Sequence, residues 1–221
     1  MKKLGAITVG QSPRDDVTPD IMGILGEVEL LQAGALDGLT RKDIETFAPA
    51  EGEYVLVSRL ADGSQVTFAE RHIIPRLQEC INKLEAEGAN LIMFFCTGEF
   101  PAFKSNVPLI FPCKLLNGLV PALASNIAVV IPSPEQSHQM QNKWKPFISN
   151  VTCVPASPYG NLKELDDAAT KIKEMHDVDL IIMDCIGYTS AMKKHLAEIT
   201  GKNVLLSRTL LAHVAAELIS R

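Results

Sequence analysis

Leu91-Ile92-Met93-Phe94-Phe95-Cys96-Thr97-Gly98 and Leu180-Ile181-Ile182-Met183-Asp184-Cys185-Ile186-Gly187 carry nearly the same message. Each is a short apolar run that stops at a cysteine, with a glycine two residues later. The offset is 89 residues at both the run (Leu91 to Leu180) and the cysteine (Cys96 to Cys185). Each run follows an amphipathic stretch with helical spacing. Buried strands alternating with helices build parallel α/β sheets, and ligands bind at the strand ends of such sheets. Two similar halves can therefore bring two thiols to opposite sides of one small molecule.

The surrounding chain extends this pattern. Gly5–Gly10 reads as a first buried strand, followed by the loop Gln11-Ser12-Pro13-Arg14-Asp15-Asp16 and a helix over 17–24. A second strand is expected at 27–31 and a helix start at Thr40. The runs 54–59 and 65–68 flank Asp62-Gly63, a hairpin signal. Ile73, Leu77, Ile81 and Leu84 mark a helix face within 69–87, with Pro75 at an uncertain start or kink. Short elements follow at 108–111 (strand) and 115–124 (helix). Ile127–Pro134 then restarts the first motif, an apolar strand followed by a small polar residue and a proline. Further strands are expected at 151–154 and 204–206, and helices at 162–176, 190–199 and from about 210. No low-complexity linker separates the halves. The expected domains are 1–113 plus 208–221, and 114–207.

Bulk properties exclude several function classes. The 221 residues suffice for one large core or two of about 100 residues. A net charge of −5 without blocks of like charge argues against nucleic acid or an anionic membrane as partner. Met1-Lys2-Lys3 runs straight into an apolar strand pattern without a signal-peptide cleavage site, and no run approaches a membrane span. A cytoplasmic protein is expected. The five cysteines are odd in number, include no CxxC, and fit reduced thiols better than a disulfide frame. The five histidines show no metal-ligand spacing, and neither a GxGxxG nor a P-loop occurs.

The strings Thr8-Val9-Gly10-Gln11-Ser12-Pro13-Arg14, Gly34-Ala35-Leu36-Asp37-Gly38-Leu39 and Asp184-Cys185-Ile186-Gly187 resemble the AroM family. With the two cysteine strand ends, they make the chain similar to the aspartate/glutamate racemase superfamily, which includes hydantoin racemases, maleate isomerases and arylmalonate decarboxylases. The resemblance spans almost the whole chain. It implies two similar three-layer α/β domains with mostly parallel sheets around a central cleft, the C-terminal helix returning to the first domain. It also implies that Ser12, Cys96, Thr97 with Gly98, Ser133, Cys185 and the Gly187-Tyr188-Thr189 turn surround that cleft. Racemases of this group usually carry Asn-Thr after the first cysteine and Thr-His after the second. This chain has Thr97-Gly98 and Ile186-Gly187, so a histidine proton partner for the second thiol is missing.

The chemistry expected of this site needs no cofactor and no metal. Inverting a carbon next to a carboxylate requires a base on one face and an acid on the other, and two cysteines fill both roles if one is thiolate and one is thiol. A cysteine of ordinary pKa, about 8.5, is only about 3% thiolate at pH 7. A helix N-terminus beyond the thiol raises that share and also binds a carboxylate. Gly187-Tyr188-Thr189, ahead of the 190–199 helix, provides one for Cys185. Asp184 is not expected to act on Cys185, because adjacent strand residues point to opposite faces.

Plainer roles compete for each residue. A cysteine at a buried strand end is often a small core residue. Cys80, Cys113 and Cys153 are read as structural. Ser12 and Ser133 either shape the turns before Pro13 and Pro134 or meet a ligand. Arg14 either clamps a carboxylate or pairs with Asp15 or Asp16. Tyr188 either faces the cleft or covers its turn. The leading expectation is a cofactor-independent racemase or isomerase acting on a small carboxylate through Cys96 and Cys185. The alternatives are a decarboxylase using one cysteine as proton donor, a non-catalytic sensor of a small anion, and an assembly protein. A homodimer is compatible with all of them.

Overall fold

Seven residues at the start, Lys2–Thr8, form β1, and the sequence dictates its place. From Leu4 onward every residue is buried, as a strand flanked by parallel neighbours on both edges requires. The computed structural model describes residues 2–220. The chain divides into two compact units, Met1–Cys113 with Leu211–Arg221, and Lys114–Leu210.

In the first unit, β1 leads to α1 (Thr18–Leu25) and β2 (Val28–Gly34). A one-turn helix, α2 (Arg41–Glu45), follows, with Thr40 and Asp43 forming a reciprocal capping box. Then comes the antiparallel hairpin β3 (Val55–Arg59) and β4 (Gln65–Ala69), with Gly63 at φ +86° in its turn. A short 3-10 turn over 70–72 precedes α3 (Ile74–Ala86), then β5 (Leu91–Phe95) and β6 (Leu109–Ile110). The sheet order is β2-β1-β5-β6, all parallel.

The helix expected over 69–87 is thus a 3-10 turn plus α3. Pro75 lies in the first turn of α3, where a missing N–H leaves no bond unmade, so the helix is not kinked there. Leu77, Cys80, Ile81 and Leu84 form its buried face. Gly5 in β1 lets that face approach closely, since a Cβ there would lie 2.9 Å from Ile92 and 3.2 Å from Leu84. Gly88, at φ +90°, ends the segment.

Helix α4 (Pro112–Leu119) begins at the end of the first segment and runs into the second unit, where β7 (Asn126–Ile131), α5 (Ser137–Trp144), β8 (Asn150–Pro155), α6 (Leu162–Lys173), β9 (Leu180–Met183), α7 (Ser190–Thr200) and β10 (Val204–Leu206) follow. Here too the sheet is parallel, in the order β10-β9-β7-β8. Read from each unit's own first strand, both sheets run second-first-third-fourth. This supports the α/β expectation, and the cysteine strands β5 and β9 hold equivalent third positions. The last helix, α8 (Ser207–Ile219), crosses the unit boundary in sequence. In the first unit its end lines a groove with Ile24, Leu25 and Val28, and Ile219 carbonyl accepts a hydrogen bond from Lys2 Nζ.

The sheet of the second unit has two apolar faces. One packs Val130, Ile181 and Met183 with Leu165, Ala169 and Ile172 of α6 and Leu196 of α7. The other packs Ile127, Val129 and Ile182 with Leu116, Met140 and Trp144. Among the described residues, no helix is long and apolar enough to cross a membrane.

Candidate functional site

Register places the site residues of each unit along one edge. Thr8 pairs with both Gly34 and Phe95, so the loops after β1, β2 and β5 leave the same carboxyl edge. Cys96 is the first residue past that row.

The loop after β1 is held by residues of the Gly34–Leu39 segment and of the hairpin. Asp37 accepts hydrogen bonds from Ser12 N (2.7 Å), Ser12 Oγ (2.6 Å) and Gly34 N (2.8 Å). Gln11 Nε2 donates to Leu39 carbonyl at 3.1 Å, and its Oε1 accepts from Ala61 N at 2.8 Å. Arg76 of α3 donates to the carbonyls of Ala35 and Asp37, fixing the Asp37 turn from behind. Gly34 permits this crowding: a Cβ there would sit 2.6 Å from Gly10 carbonyl and 2.7 Å from Ser12 N. Arg14 is 3% exposed, with Nε and Nη2 each 2.8 Å from the Asp16 carboxylate and Nη1 3.1 Å from Thr8 Oγ1. Of the two roles open to Arg14, the ion pair with Asp16 is formed, with Arg14 buried and Asp16 partly so. Ser12 Oγ donates to Asp37, so it is held inside the loop.

Cys96 is half-buried and packs against the first core. Its Sγ accepts a hydrogen bond from Gly98 N at 3.4 Å. Thr97 and Gly98 are buried, and Glu99 is exposed. A Cβ on Gly98 would lie 2.9 Å from Leu56 and 3.2 Å from Phe100. Tyr54 hydroxyl accepts from Glu99 N at 3.1 Å, so the hairpin braces this turn. Phe100 and Phe103 of the same loop pack back on Phe94, the first tilted and the second stacked, with centroid distances of 5.8 and 5.7 Å.

The second unit repeats the arrangement. Val130 pairs with Met183, and Met183 with Leu206, so Ser133, Cys185 and Arg208 all lie just past one edge. Cys185 is 8% exposed, and its Sγ accepts from Gly187 N at 3.4 Å, the counterpart of the Cys96 contact. Asp184 points the other way, onto Lys143 Nζ (2.8 Å) and Trp144 Nε1 (3.0 Å) of α5, as strand alternation requires. Thr189 Oγ1 accepts from Met192 N at 3.1 Å and caps α7. Ser133 hydroxyl bonds the Glu135 carboxylate at the next turn.

Tyr188 covers its turn. The ring is fully buried, and its hydroxyl donates to Ala156 carbonyl at 2.7 Å. Burial holds the phenol well above its ordinary value near 10. The unfolded chain therefore ionises this group first as pH rises, so its stabilising share is complete below pH 10 and is lost above it. Urea unfolding should show stability falling above pH 10. In Tyr188→Phe that decline should be shallower, with about 1–3 kcal/mol lost at pH 7 because Ala156 carbonyl loses its donor.

Burial pushes the thiols of Cys80 and Cys153 up to about 11, which keeps both protonated at neutral pH. Cys113 is buried in the first core. Among the described residues, no cluster of three or more His, Cys, Asp or Glu side chains is placed to hold a metal ion. Several contributors escape a reading of the sequence: Asp37, Tyr54, Tyr159 and Arg208. Tyr159 and Pro158 lie over Gly187, where a Cβ would be 2.6 Å from the phenol oxygen and 2.8 Å from Pro158 Cγ. Arg208, only 1% exposed, donates from Nε to Ile186 carbonyl (2.9 Å) and from Nη2 to Gly187 carbonyl (3.2 Å). The signal available for Arg208 was its place directly after the fourth strand of its half.

Duplicated parallel sheets with a cysteine turn at each third strand define a protein of the racemase fold. The allantoin racemase from Klebsiella pneumoniae superposes with a TM-score of 0.68 at 11% identity, covering 99% of this chain and 88% of that one. The aspartate racemase of Picrophilus torridus gives 0.61 at 14%, covering 99% and 94%. An arylmalonate decarboxylase gives 0.63 at 14%, covering 98% and 92%. No curated protein sequence matches the chain. The family model described as AroM protein matches residues 4–219, and the chain belongs to the AroM family.

Proposed function

We propose that this chain is a cofactor-independent enzyme of racemase or isomerase type, acting on a small carboxylate with Cys96 and Cys185 as its acid–base pair. One observation carries the reading. At equivalent strand ends, each sulfur accepts an N–H from the glycine two residues on. A hydrogen bond to the charged form favours a thiolate. Burial alone does the reverse, as at Cys80 and Cys153. In the proposed reaction a thiolate removes the hydrogen beside the carboxylate, and the other thiol delivers a proton to the opposite face. Backbone N–H groups at the capped start of α7 would hold the carboxylate.

A decarboxylase with a single proton-donating cysteine is the second reading, favoured by Ile186-Gly187 in place of Thr-His after Cys185. The test is proton exchange in heavy water across a panel of amino acids, hydroxy acids and arylmalonates. A racemase should place deuterium at the α-carbon and invert it. A decarboxylase should instead release carbon dioxide from the malonates. Ligand-dependent thermal stabilisation without either reaction would identify a small-anion sensor and end the catalytic reading.

A further inference from the structure

The two cysteine turns match in their N–H···S contact but differ in what lies behind it. In the second unit the peptide joining Ile186 to Gly187 is gripped at both ends. Its carbonyl accepts from Arg208 Nε at 2.9 Å, and its N–H donates to Cys185 Sγ at 3.4 Å. A trans peptide points these two groups in opposite directions, so fixing one aims the other. A charged donor on the carbonyl also polarises the unit and strengthens its N–H as a donor. Nη2 of the same guanidinium takes the next carbonyl, of Gly187, at 3.2 Å. A planar fork meeting successive carbonyls is geometry that a lysine does not reproduce.

Strand register shows what the first unit has in that place. Met93 of β5 pairs with Ile110, and its counterpart Ile182 of β9 pairs with Leu205. Counting three residues on in each case, Arg208 stands where the first unit has Cys113, an uncharged residue in the core.

We infer that Arg208 is a positioning residue for Cys185, holding the Ile186–Gly187 peptide against its sulfur strongly enough to outweigh the burial that opposes charge there, and so making Cys185, rather than the half-buried Cys96, the thiol that rests as thiolate. This rests on the proposed two-cysteine reaction and assigns its resting proton: Cys185 begins as the base and Cys96 as the acid. The other titratable groups around this turn are Tyr188 within it, Tyr159 and Glu164 from the segment after β8, and Asp184 with Lys143 beneath it. Glu164 accepts from Ser157 N at 3.0 Å, and Asp184 is paired with Lys143 on the opposite face of the strand.

The experiment is site-resolved alkylation of the full chain with iodoacetamide, followed by mass spectrometry from pH 5 to 10. It reads each thiolate without any turnover. In the parent protein the Cys185 midpoint should lie about one pH unit or more below that of Cys96, a tenfold difference in thiolate share. Arg208→Met should raise the Cys185 midpoint by about one unit and slow its alkylation about tenfold at pH 7, leaving Cys96 unchanged. Arg208→Lys should recover only part of the shift. Equal midpoints in the parent protein overturn the inference, even if no Arg208 variant folds. An unmoved Cys185 midpoint in a folded Arg208→Met also overturns it. Absence of exchange on every carboxylate, with the Arg208 dependence intact, would instead remove the catalytic reading alone.

Discussion

Cys96→Ser and Cys185→Ser should each abolish inversion of a substrate that the parent protein racemises. The expected loss is about 10²–10⁴-fold, the contribution of a positioned acid or base. A serine hydroxyl keeps nearly the size of the thiol but is far too weak an acid to serve as donor or base near pH 7. The two variants should not behave alike. With Cys185 as the resting base, Cys96→Ser retains α-hydrogen exchange on one enantiomer, because that thiolate still reaches one face. Cys185→Ser loses exchange on the same enantiomer. The measurement is the NMR loss of the α-hydrogen signal for each enantiomer separately. Undiminished inversion in either variant would rule out the two-thiol reaction.

Asp184→Asn should destabilise the second unit by about 3–5 kcal/mol, the usual consequence of removing one partner from a buried ion pair. The side chains of Lys143 and Asp184 are both fully buried, with Nζ 3.0 and 2.8 Å from the two carboxylate oxygens. The amide keeps an acceptor for Trp144 but leaves the ammonium buried without its carboxylate. For a chain of this length such a loss lowers the midpoint of thermal unfolding by roughly 6–20 °C. Replacing both partners, in Lys143→Met with Asp184→Leu, should recover much of the loss, because no charge then remains buried. A double variant no more stable than the single one would show that the pair does more than neutralise itself.

The same ion pair explains a helix that a reading of the sequence passes over. Ser137-His138-Gln139-Met140-Gln141-Asn142-Lys143-Trp144 offers only Met140 and Trp144 as apolar positions, too few for a stripe. Yet Lys143 points inward with them, because Asp184 awaits it from β9. Arg208 is concealed in the same way. Long-range charge pairing and carbonyl ligation put polar residues at buried positions, and hydrophobic periodicity cannot register them. The central strands β1, β5, β7 and β9, in contrast, were legible because both of their faces are buried and their apolar runs are nearly uninterrupted. Within the site, the two cysteine turns were legible from their repeat. Ser12 and Arg14 were legible only as alternatives, since their partners are set by how loops meet at the strand edge. Asp37, which takes both the N–H and the hydroxyl of Ser12, lies 25 residues away.

The first unit is assembled from two distant pieces of chain, Met1–Cys113 and Leu211–Arg221, whereas the second is continuous. During synthesis the unit that leaves the ribosome first is therefore the last to be completed. The groove beside Ile24, Leu25 and Val28 stays without Ala216 and Ile219 while the whole second unit is translated. At about 5–20 residues per second that interval is roughly 5–20 s. Throughout it, the nascent first unit carries an uncovered apolar edge, whereas the second can close its core as soon as β10 emerges. A ribosome stalled inside α8 would leave one finished half and one open half.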